Sequence, residues 1–233
     1  MTLTYENIYK LASEVGFDAC GIASAHRLED DARFMDDWLA KGLHGEMDYL
    51  ERNRDKRYDP TILVPGAQTI VVCLLSFEHS GRDYHRHVKS LLYMLEAKLK
   101  AAYGEDIVSS THQHIFCDSA PMLERKWCVE AGLGFIGKNH QLIHPILGSM
   151  VHPGEIVLNV PITMGTASME YRSNTKKKEQ FCADCHLCID ACPTGVLQNK
   201  IWDAQQCIAY STHHCLECQT VCPLNKVIKN VQQ

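Results

Sequence analysis

Eight cysteines in the last third of the chain are spaced for iron–sulfur chemistry. They form two runs, Cys182-x2-Cys185-x2-Cys188-x3-Cys192 followed by Pro193, and Cys207-x7-Cys215-x2-Cys218-x3-Cys222 followed by Pro223. Three closely spaced thiolates in such a run bind one 4Fe–4S cluster, and the fourth reaches across to another. The spacing predicts one cluster bound by Cys182, Cys185, Cys188 and Cys222, and a second bound by Cys192, Cys207, Cys215 and Cys218.

Zinc is the alternative ligand for paired CxxC motifs. A tetrahedral zinc site needs four ligands and rarely uses a continuous CxxCxxCxxxCP run, so iron–sulfur clusters are the favoured interpretation. The remaining four cysteines lie on predicted strands or helices and are expected to be buried apolar residues rather than ligands: Cys20, Cys73, Cys117 and Cys128.

The composition fits a globular protein of the reducing cytoplasm. Hydrophobic residues make up 45% of the 233 positions, which is enough for a sizeable core. No signal peptide is recognisable, and no stretch reaches the roughly eighteen apolar residues of a membrane span. We therefore expect a cytoplasmic protein without membrane contact, in which twelve reduced cysteines favour metal binding over disulfides. The net charge of -5 predicts no strong nonspecific binding to nucleic acid.

Hydrophobic periodicity predicts alternating helices and strands over the first 165 residues. Helices are expected at residues 5–15, at about 28–41, and along an apolar stripe that ends near Gly104. Strands are expected at 17–23, 69–76, 114–117, 141–144 and 149–159, with the run TIVVCLLS of residues 69–76 at the centre of the sheet. Strand 114–117 leads into a helix with Pro121 in its first turn, so Asp118 is predicted at a strand-to-helix turn.

These elements predict an α+β protein with two functional parts. An α/β domain covers residues 1–165, a polar linker 166–180, a double-cluster module like that of bacterial ferredoxins 181–225, and a tail 226–233. Two clusters indicate electron transfer, because a structural role needs only one. The N-terminal domain is then the expected electron acceptor. It has no GxGxxG, Walker A or CxxCH motif, so these fingerprints do not identify its cofactor.

Several motifs resemble those of the epoxyqueuosine reductase family. They are CDSAPMLER at residues 117–125, AGLGFIGKN at 131–139, GS at 148–149 and GE at 154–155. Further matches are GEMDY at 45–49, DKRYDP at 55–60, GRDYH at 81–85, and the cysteine module with CIAY at 207–210. Together they cover almost the whole chain.

The resemblance implies a nitroreductase-like α/β fold that binds cobalamin, with the two clusters reducing its cobalt. The family reaction removes the epoxide oxygen of a tRNA-borne nucleoside to give queuosine, with electrons from an external donor such as flavodoxin or ferredoxin. Asp118 aligns with the family's proposed proton donor. Arg57, Leu142, Pro153 and Ser211 align with positions that line the cobalamin.

Asp118 has two interpretations. A free aspartate has a pKa near 3.9 and is about a thousandfold deprotonated at pH 7, a deficit of about 4 kcal/mol for a proton donor. A helix N-terminus favours the carboxylate further, and only desolvation, for example beneath a corrin ring, would raise the pKa. The alternative is that Asp118 merely caps the helix begun at Pro121. Within the surrounding motif, proton donation is the favoured interpretation.

Other polar residues have two interpretations each, equally weighted for Lys138 and Asn139 and favouring a solvated face for the basic runs. Lys138 and Asn139 follow a glycine-rich turn and could contact a cofactor or a phosphate, or belong to an ordinary loop. The basic runs at 52–57 and 176–178 could contact RNA phosphates, or could be solvated faces.

Two departures from the family pattern keep other functions open. The strand ending near Phe77 passes almost directly into GRDYH, so a more open cofactor site is expected. The chain also ends shortly after Cys222, where longer relatives carry a helical extension that engages tRNA. Three hypotheses remain: an epoxyqueuosine-reductase-like cobalamin enzyme, a cobalamin-dependent reductase of a small molecule similar in logic to reductive dehalogenases, and an electron-transfer or corrinoid-reducing partner protein without a substrate of its own.

Overall fold

Helices and strands are mixed in the computed structural model of the chain, which describes residues 3–80, 83–162, 167–198, 201–212 and 215–226. The strands in these ranges are β1 (Ala19–Ser24), β2 (Thr69–Ser76), β3 (Ile115–Phe116), β4 (Phe135–Ile136), β5 (Leu142–Ile143) and β6 (Val151–Leu158). The helices of the first part are α1 (Tyr5–Val15), α2 (Glu29–Ala40), α3 (Arg54–Tyr58), α4 (Pro60–Leu63), α5 (Phe77–Ser80), α6 (Tyr84–Tyr103) and α7 (Glu124–Glu130). Those of the second part are α8 (Ala167–Asp184), α9 (Leu187–Asp190), α10 (Ile208–Thr212), α11 (Glu217–Thr220) and α12 (Pro223–Lys226).

The main sheet is antiparallel and has the strand order β1-β2-β6-β3. β2 lies inside it, as its unbroken apolar run predicted, and every residue of β2 is buried. Alternate residues of β2 face opposite sides of the sheet. Val71, Cys73 and Leu75 pack in one core, and Ile70, Val72 and Leu74 pack in the other.

The two cores are covered by different helices. α1 and α6 cover the first core, where Ile8 and Leu92 are fully buried. α7 covers the second core with Trp127, which is also fully buried. The sheet therefore lies between helices on both faces, and the predicted mixture of helix and strand is confirmed. Among the described residues, no helix is long and apolar enough to span a bilayer.

Two local predictions differ from the structure. The helix expected from Pro121 begins at Glu124, because residues 118–121 form bends and residues 122–123 are irregular. The polar segment predicted as a linker at 166–180 is mostly helical, within α8. It contains no proline or glycine and is rich in good helix formers, which outweighs its lack of an apolar stripe. Gly81 and Arg82 of GRDYH, Thr166 of this linker and residues 227–233 of the predicted tail lie outside the described residues.

The cysteine-rich part packs on the N-terminal part through aromatic side chains. Trp38 of α2 stacks on Trp202 with ring centroids 5.9 Å apart, and its Nε1–H donates to the Trp202 carbonyl at 2.6 Å. Nearby, the Glu46 N–H donates to the Tyr210 hydroxyl at 2.5 Å. These contacts join residues about 164 positions apart in sequence. They fix the module against α2 and the loop that follows it.

Candidate active site and cluster cysteines

Asp118 lies on a turn two residues after the end of β3. Its φ of 49° is in the left-handed region, which is uncommon for a residue with a side chain and frequent at functional turns. The Asp118 N–H donates to Glu124 Oε1 at 2.6 Å, and α7 has Leu123 as its N-cap without a side-chain cap bond. Asp118 therefore does not cap the helix. Instead, the Glu124 side chain of α7 accepts a hydrogen bond from the Asp118 backbone and so holds the turn in place.

The Asp118 carboxylate meets two residues of α6. The Tyr84 hydroxyl donates to Asp118 Oδ2 at 2.6 Å, and His85 Nε2 lies 3.7 Å from the same oxygen. The Asp118 side chain is 48% exposed. The carboxylate is thus held in place while one side stays accessible, as a group that exchanges a proton with a bound molecule must be.

Four aromatic rings stack beside this carboxylate. The His152 ring lies 3.7 Å from the Tyr84 ring and 4.3 Å from the Phe77 ring, and Tyr84 stacks on His85 at 3.9 Å. The stack brings together the end of β2, the start of α6 and strand β6. It positions the Tyr84 hydroxyl towards Asp118.

The electrostatics place a charge on Asp118. Burial acts to raise its pKa, yet the hydrogen bonds of Glu124 and Tyr84 and the nearby His85 and His152 hold that pKa below its usual value. Burial, and then the bond to Asp118, raise the pKa of Tyr84. Burial also lowers the pKa of His152 to about 4, so this imidazole is neutral near pH 7. The proton-donor interpretation required desolvation to raise the pKa of Asp118. Here the hydrogen bonds and the nearby imidazoles outweigh the desolvation, and the pKa is lowered.

Two buried carboxyl groups near Asp118, those of Glu124 and Glu155, belong to the motifs CDSAPMLER and GE, but the sequence alone suggested no role for them. Burial, then Glu155, then Asp118 raise the pKa of Glu124 to about 11. Glu155 is fully buried, neither of its carboxyl oxygens has a hydrogen-bond partner among the described residues, and burial raises its pKa well above the usual value. Sequence spacing gave no signal for this pair, because Glu124 and Glu155 lie on α7 and β6.

The first predicted set of cluster cysteines lines one cavity that is partly open to solvent. Cys182, Cys185, Cys188 and Cys222 line it together with the side chains of Phe181, Ile143, Leu224, Pro223, Lys138 and Asn139. The structure thus brings residues 40 positions apart to one place, in the combination that the spacing predicted.

The second predicted set lies beside the first. Burial, and then the neighbouring thiols of Cys188, Cys215, Cys207 and Cys192, raise the pKa of Cys218 to about 11. Cys218 is therefore close both to its three predicted partners and to the first set. The described residues contain no group of three or more His, Cys, Asp or Glu residues arranged for a single metal ion. The ligand assignment itself stays a prediction.

Lys138 and Asn139 contact both cysteine sets. Lys138 Nζ donates to the Cys185 carbonyl at 3.0 Å, and Asn139 Nδ2 donates to the Cys218 carbonyl at 3.5 Å. Lys138 lies in the first cluster cavity, so the cofactor that it faces is the predicted cluster.

The predicted cobalamin contacts occupy different environments. Leu142 is buried on β5 and Pro153 is half-buried on β6, beside His152 of the aromatic stack. Ser211 is exposed on α10, and its hydroxyl donates to the Ile208 carbonyl. Arg57 is buried, donates through Nη2 to the carbonyls of Tyr49 and Arg52, and leaves its Nε without a partner among the described residues. Within the described part of the chain, no hydrogen bond or ion pair joins these four residues to one another.

The basic runs differ in their availability to RNA. In the run at 52–57, Arg57 is buried and Arg54 pairs with Asp36 and Glu51, whereas Arg52 and Lys56 are exposed. Lys176 and Lys177 are exposed on α8.

The four other cysteines are buried, as predicted. Cys73, Cys117 and Cys128 are fully inaccessible and Cys20 is 3% exposed, and none forms a disulfide.

Known proteins resemble the chain along nearly its whole length. Curated epoxyqueuosine reductases of Cyclobacterium marinum and Leadbetterella byssophila are 34% and 33% identical, over 95% and 94% of this chain and 79% of each relative. A crystal structure of epoxyqueuosine reductase with an epoxyqueuosine-modified tRNA-Tyr stem loop matches 95% of this chain with a TM-score of 0.75 at 27% identity. A Bacillus subtilis epoxyqueuosine reductase with its catalytic aspartate loop swung out of the active site matches 95% of this chain with a TM-score of 0.72, also at 27% identity.

The extent of the match differs between relatives. The chain spans 65% of the length of these two crystallised reductases. A catabolic reductive dehalogenase shares the fold, with a TM-score of 0.58 at 16% identity over 97% of this chain and 33% of that protein. No protein-family model matches the chain. With an identity of 34% to a relative of which it covers 79%, the chain belongs to the epoxyqueuosine reductase family.

Proposed function

We propose that this oxidoreductase reduces epoxyqueuosine to queuosine in tRNA. The observation that carries the proposal is the Asp118 turn, a left-handed, half-exposed aspartate that a tyrosine and a glutamate hold in place. A crystallised relative has a catalytic aspartate loop that swings out of its active site. A crystal structure of an epoxyqueuosine reductase contains an epoxyqueuosine-modified tRNA stem loop, which supports tRNA as the carrier of the substrate.

Two 4Fe–4S clusters and a cobalamin complete the proposed enzyme. The donor set supports the clusters, since four thiols of the first set line one cavity and cysteine thiolates are the ligands of such clusters. Arg57 supports cobalamin, because its buried Nε needs an acceptor and the polar periphery of a corrin offers several. Arg57, Leu142, Pro153 and Ser211 would hold that cofactor.

The reaction needs protons as well as electrons. Removing an epoxide oxygen as water and leaving an alkene consumes two electrons and two protons. When bound, cobalamin supplies the reducing centre. Asp118 contributes a proton to the departing oxygen, Tyr84 orients the Asp118 carboxylate through the 2.6 Å hydrogen bond, and the aromatic stack fixes Tyr84.

Electrons would enter near the cluster cysteines. Phe181, Leu187 and Leu216 are about half exposed, and each is adjacent in sequence to a cluster cysteine. An external donor such as flavodoxin or ferredoxin could approach a cluster closely over this apolar surface. A tRNA substrate and such a donor place the enzyme in the cytoplasm.

The test is anaerobic conversion of a defined substrate. The purified chain is reconstituted with iron, sulfide and cobalamin, supplied with reductant, and incubated with tRNA that carries epoxyqueuosine. Mass spectrometry of the digested nucleosides should detect queuosine, and the Asp118→Asn variant with intact clusters should produce none. Free epoxyqueuosine nucleoside is tested in parallel.

Each outcome has a defined meaning. Conversion of the nucleoside but not of the tRNA would replace the proposal with reduction of a small molecule. Intact clusters and bound cobalamin without conversion of either substrate would contradict it and favour an electron-transfer partner. An Asp118→Asn variant as active as the parent would remove Asp118 from the chemistry.

A further inference from the structure

The Asp118 carboxylate lacks the proton that the proposed reaction consumes. Its pKa lies below the usual value, so near pH 7 it accepts hydrogen bonds rather than donating a proton. A delivery group of this kind needs a neighbouring group that holds a proton and passes it on. That neighbour must touch Asp118 and be shielded from solvent.

Glu124 meets both conditions. It is 9% exposed and it accepts the Asp118 N–H at Oε1 over 2.6 Å, so its carboxyl group lies against the Asp118 turn. Burial, then Glu155, then Asp118 raise the pKa of Glu124. When two carboxyl groups share a site, one proton is held between them and the more buried group retains it. In this pair Glu124 is the more buried group, at 9% exposed against 48% for the Asp118 side chain.

Glu155 favours this protonation from the interior. It lies opposite Phe116 in the β3–β6 pairing, is inaccessible to solvent, and has no hydrogen-bond partner for its carboxyl oxygens among the described residues. Because Glu124 and Glu155 are both buried, a negative charge on either one raises the pKa of the other, and the two carboxyl groups are not ionised together. The titratable and charged groups around Glu124 are Asp118 on its turn, Tyr84 on α6, Cys117 after β3, Glu155 on β6, and Arg125 and Cys128 on α7.

We propose that Glu124 is a positioning residue that stores the proton which Asp118 delivers to the substrate. The inference rests on the proposed function, because it assigns the source of a proton for that reaction. The Glu124 O–H bond breaks as an O–H bond forms on Asp118, and Asp118 then gives this proton to the departing oxygen. Water at the exposed side of Asp118 returns one proton to the pair, and no electron moves in these steps.

Two substitutions separate proton storage from a structural role. Glu124→Gln keeps the length of the side chain and an oxygen that can accept the Asp118 N–H, but it has no transferable proton. Glu124→Asp keeps the carboxyl group on a shorter side chain. A structural role predicts that the Gln variant is the more active of the two, whereas proton storage predicts the opposite order.

The assay is turnover of the reconstituted enzyme between pH 6 and 9. A general acid contributes about 10² to 10⁴ in rate, so Glu124→Gln should lose at least about tenfold at pH 7.5 and recover part of this loss as the pH falls. Glu124→Asp should lose less. Glu96→Gln is the matched control, because Glu96 is equally buried but pairs with Lys100 and His114, away from Asp118. Its pH profile should match the parent.

A second measurement does not depend on turnover. Infrared difference spectra of the cluster-loaded protein at pH 7.5, with ¹³C-labelled glutamate, should show a protonated carboxyl band that Glu124→Gln removes. A purely ionised carboxylate band in this difference would overturn the proposal, as would a Gln variant that is more active than the Asp variant. If the parent enzyme reduces no epoxyqueuosine, the proposed function fails, and the infrared band alone decides whether Glu124 holds a proton.

Discussion

Gly148→Ala tests how the cluster module is held on the N-terminal domain. Gly148 has a φ of 72°, and a Cβ built there would lie 2.0 Å from Asn225 Oδ1 and 3.0 Å from the Asn225 Cα. Asn225 Oδ1 accepts the Ser149 N–H at 2.6 Å, and Asn225 Nδ2 donates to the Gln219 carbonyl at 2.7 Å. The backbone contact leaves Asn225 no room to move without breaking these bonds.

Two contributions determine how much Gly148→Ala lowers the free energy of unfolding. A left-handed alanine costs about 1 kcal/mol, and the loss of two or three hydrogen bonds of Asn225 costs about 2–3 kcal/mol more. The matched control is Gly42→Ala, because Gly42 has a φ of 67° and a Cβ there meets nothing within 4 Å. Its cost should be about 1 kcal/mol.

Thermal unfolding followed by circular dichroism measures both variants. At about 2–4 °C per kcal/mol for a chain of this size, Gly148→Ala should melt about 6–16 °C lower and Gly42→Ala about 2–4 °C lower. Asn225 follows Cys222 by three residues, so Gly148→Ala should also retain less iron after anaerobic desalting. Equal melting temperatures and equal iron contents in the two variants would refute the role assigned to Asn225.

Three further outcomes are expected. Tyr84→Phe removes the hydrogen bond that stabilises the Asp118 carboxylate, so the basic limb of the pH–rate profile should move to higher pH; an unchanged profile would contradict this. Lys138→Gln removes a positive charge from the cavity of Cys185 and should lower the midpoint potential of one cluster, as measured by EPR redox titration; unchanged potentials of both clusters would contradict this. Burial lowers the pKa of His144 to about 4 from an ordinary value near 6.5, so the unfolded chain takes up a proton first as the pH falls. The free energy of unfolding should therefore fall by about 1.4 kcal/mol between pH 7.5 and 5.5, a loss that His144→Gln should not show.

The hydrophobic pattern of the sequence predicted well those elements that are buried along their whole length. Strand β2 was predicted with its observed limits, because a continuous β-branched run is buried on both faces of a sheet. The predicted start of α7 was three residues too early, because Pro121 is as compatible with a turn as with the first turn of a helix. The surroundings of Asp118 could not be predicted from spacing. Tyr84 and Glu155 lie 34 and 37 positions away in sequence and reach it only through the packing of α6 and the pairing of β3 with β6.

One segment, residues 137–149, connects the N-terminal domain to both predicted clusters. Lys138 bonds to the Cys185 carbonyl, Asn139 to the Cys218 carbonyl, and the Ser149 N–H to Asn225. β5 lies within this segment and pairs with β4, which follows α7 and therefore the Glu124 that holds the Asp118 turn. The contacts of the cluster module and those of the Asp118 turn are thus joined through a short stretch of chain. A change that loosens the module should disturb the Asp118 turn as well, because both depend on the same small β4–β5 sheet.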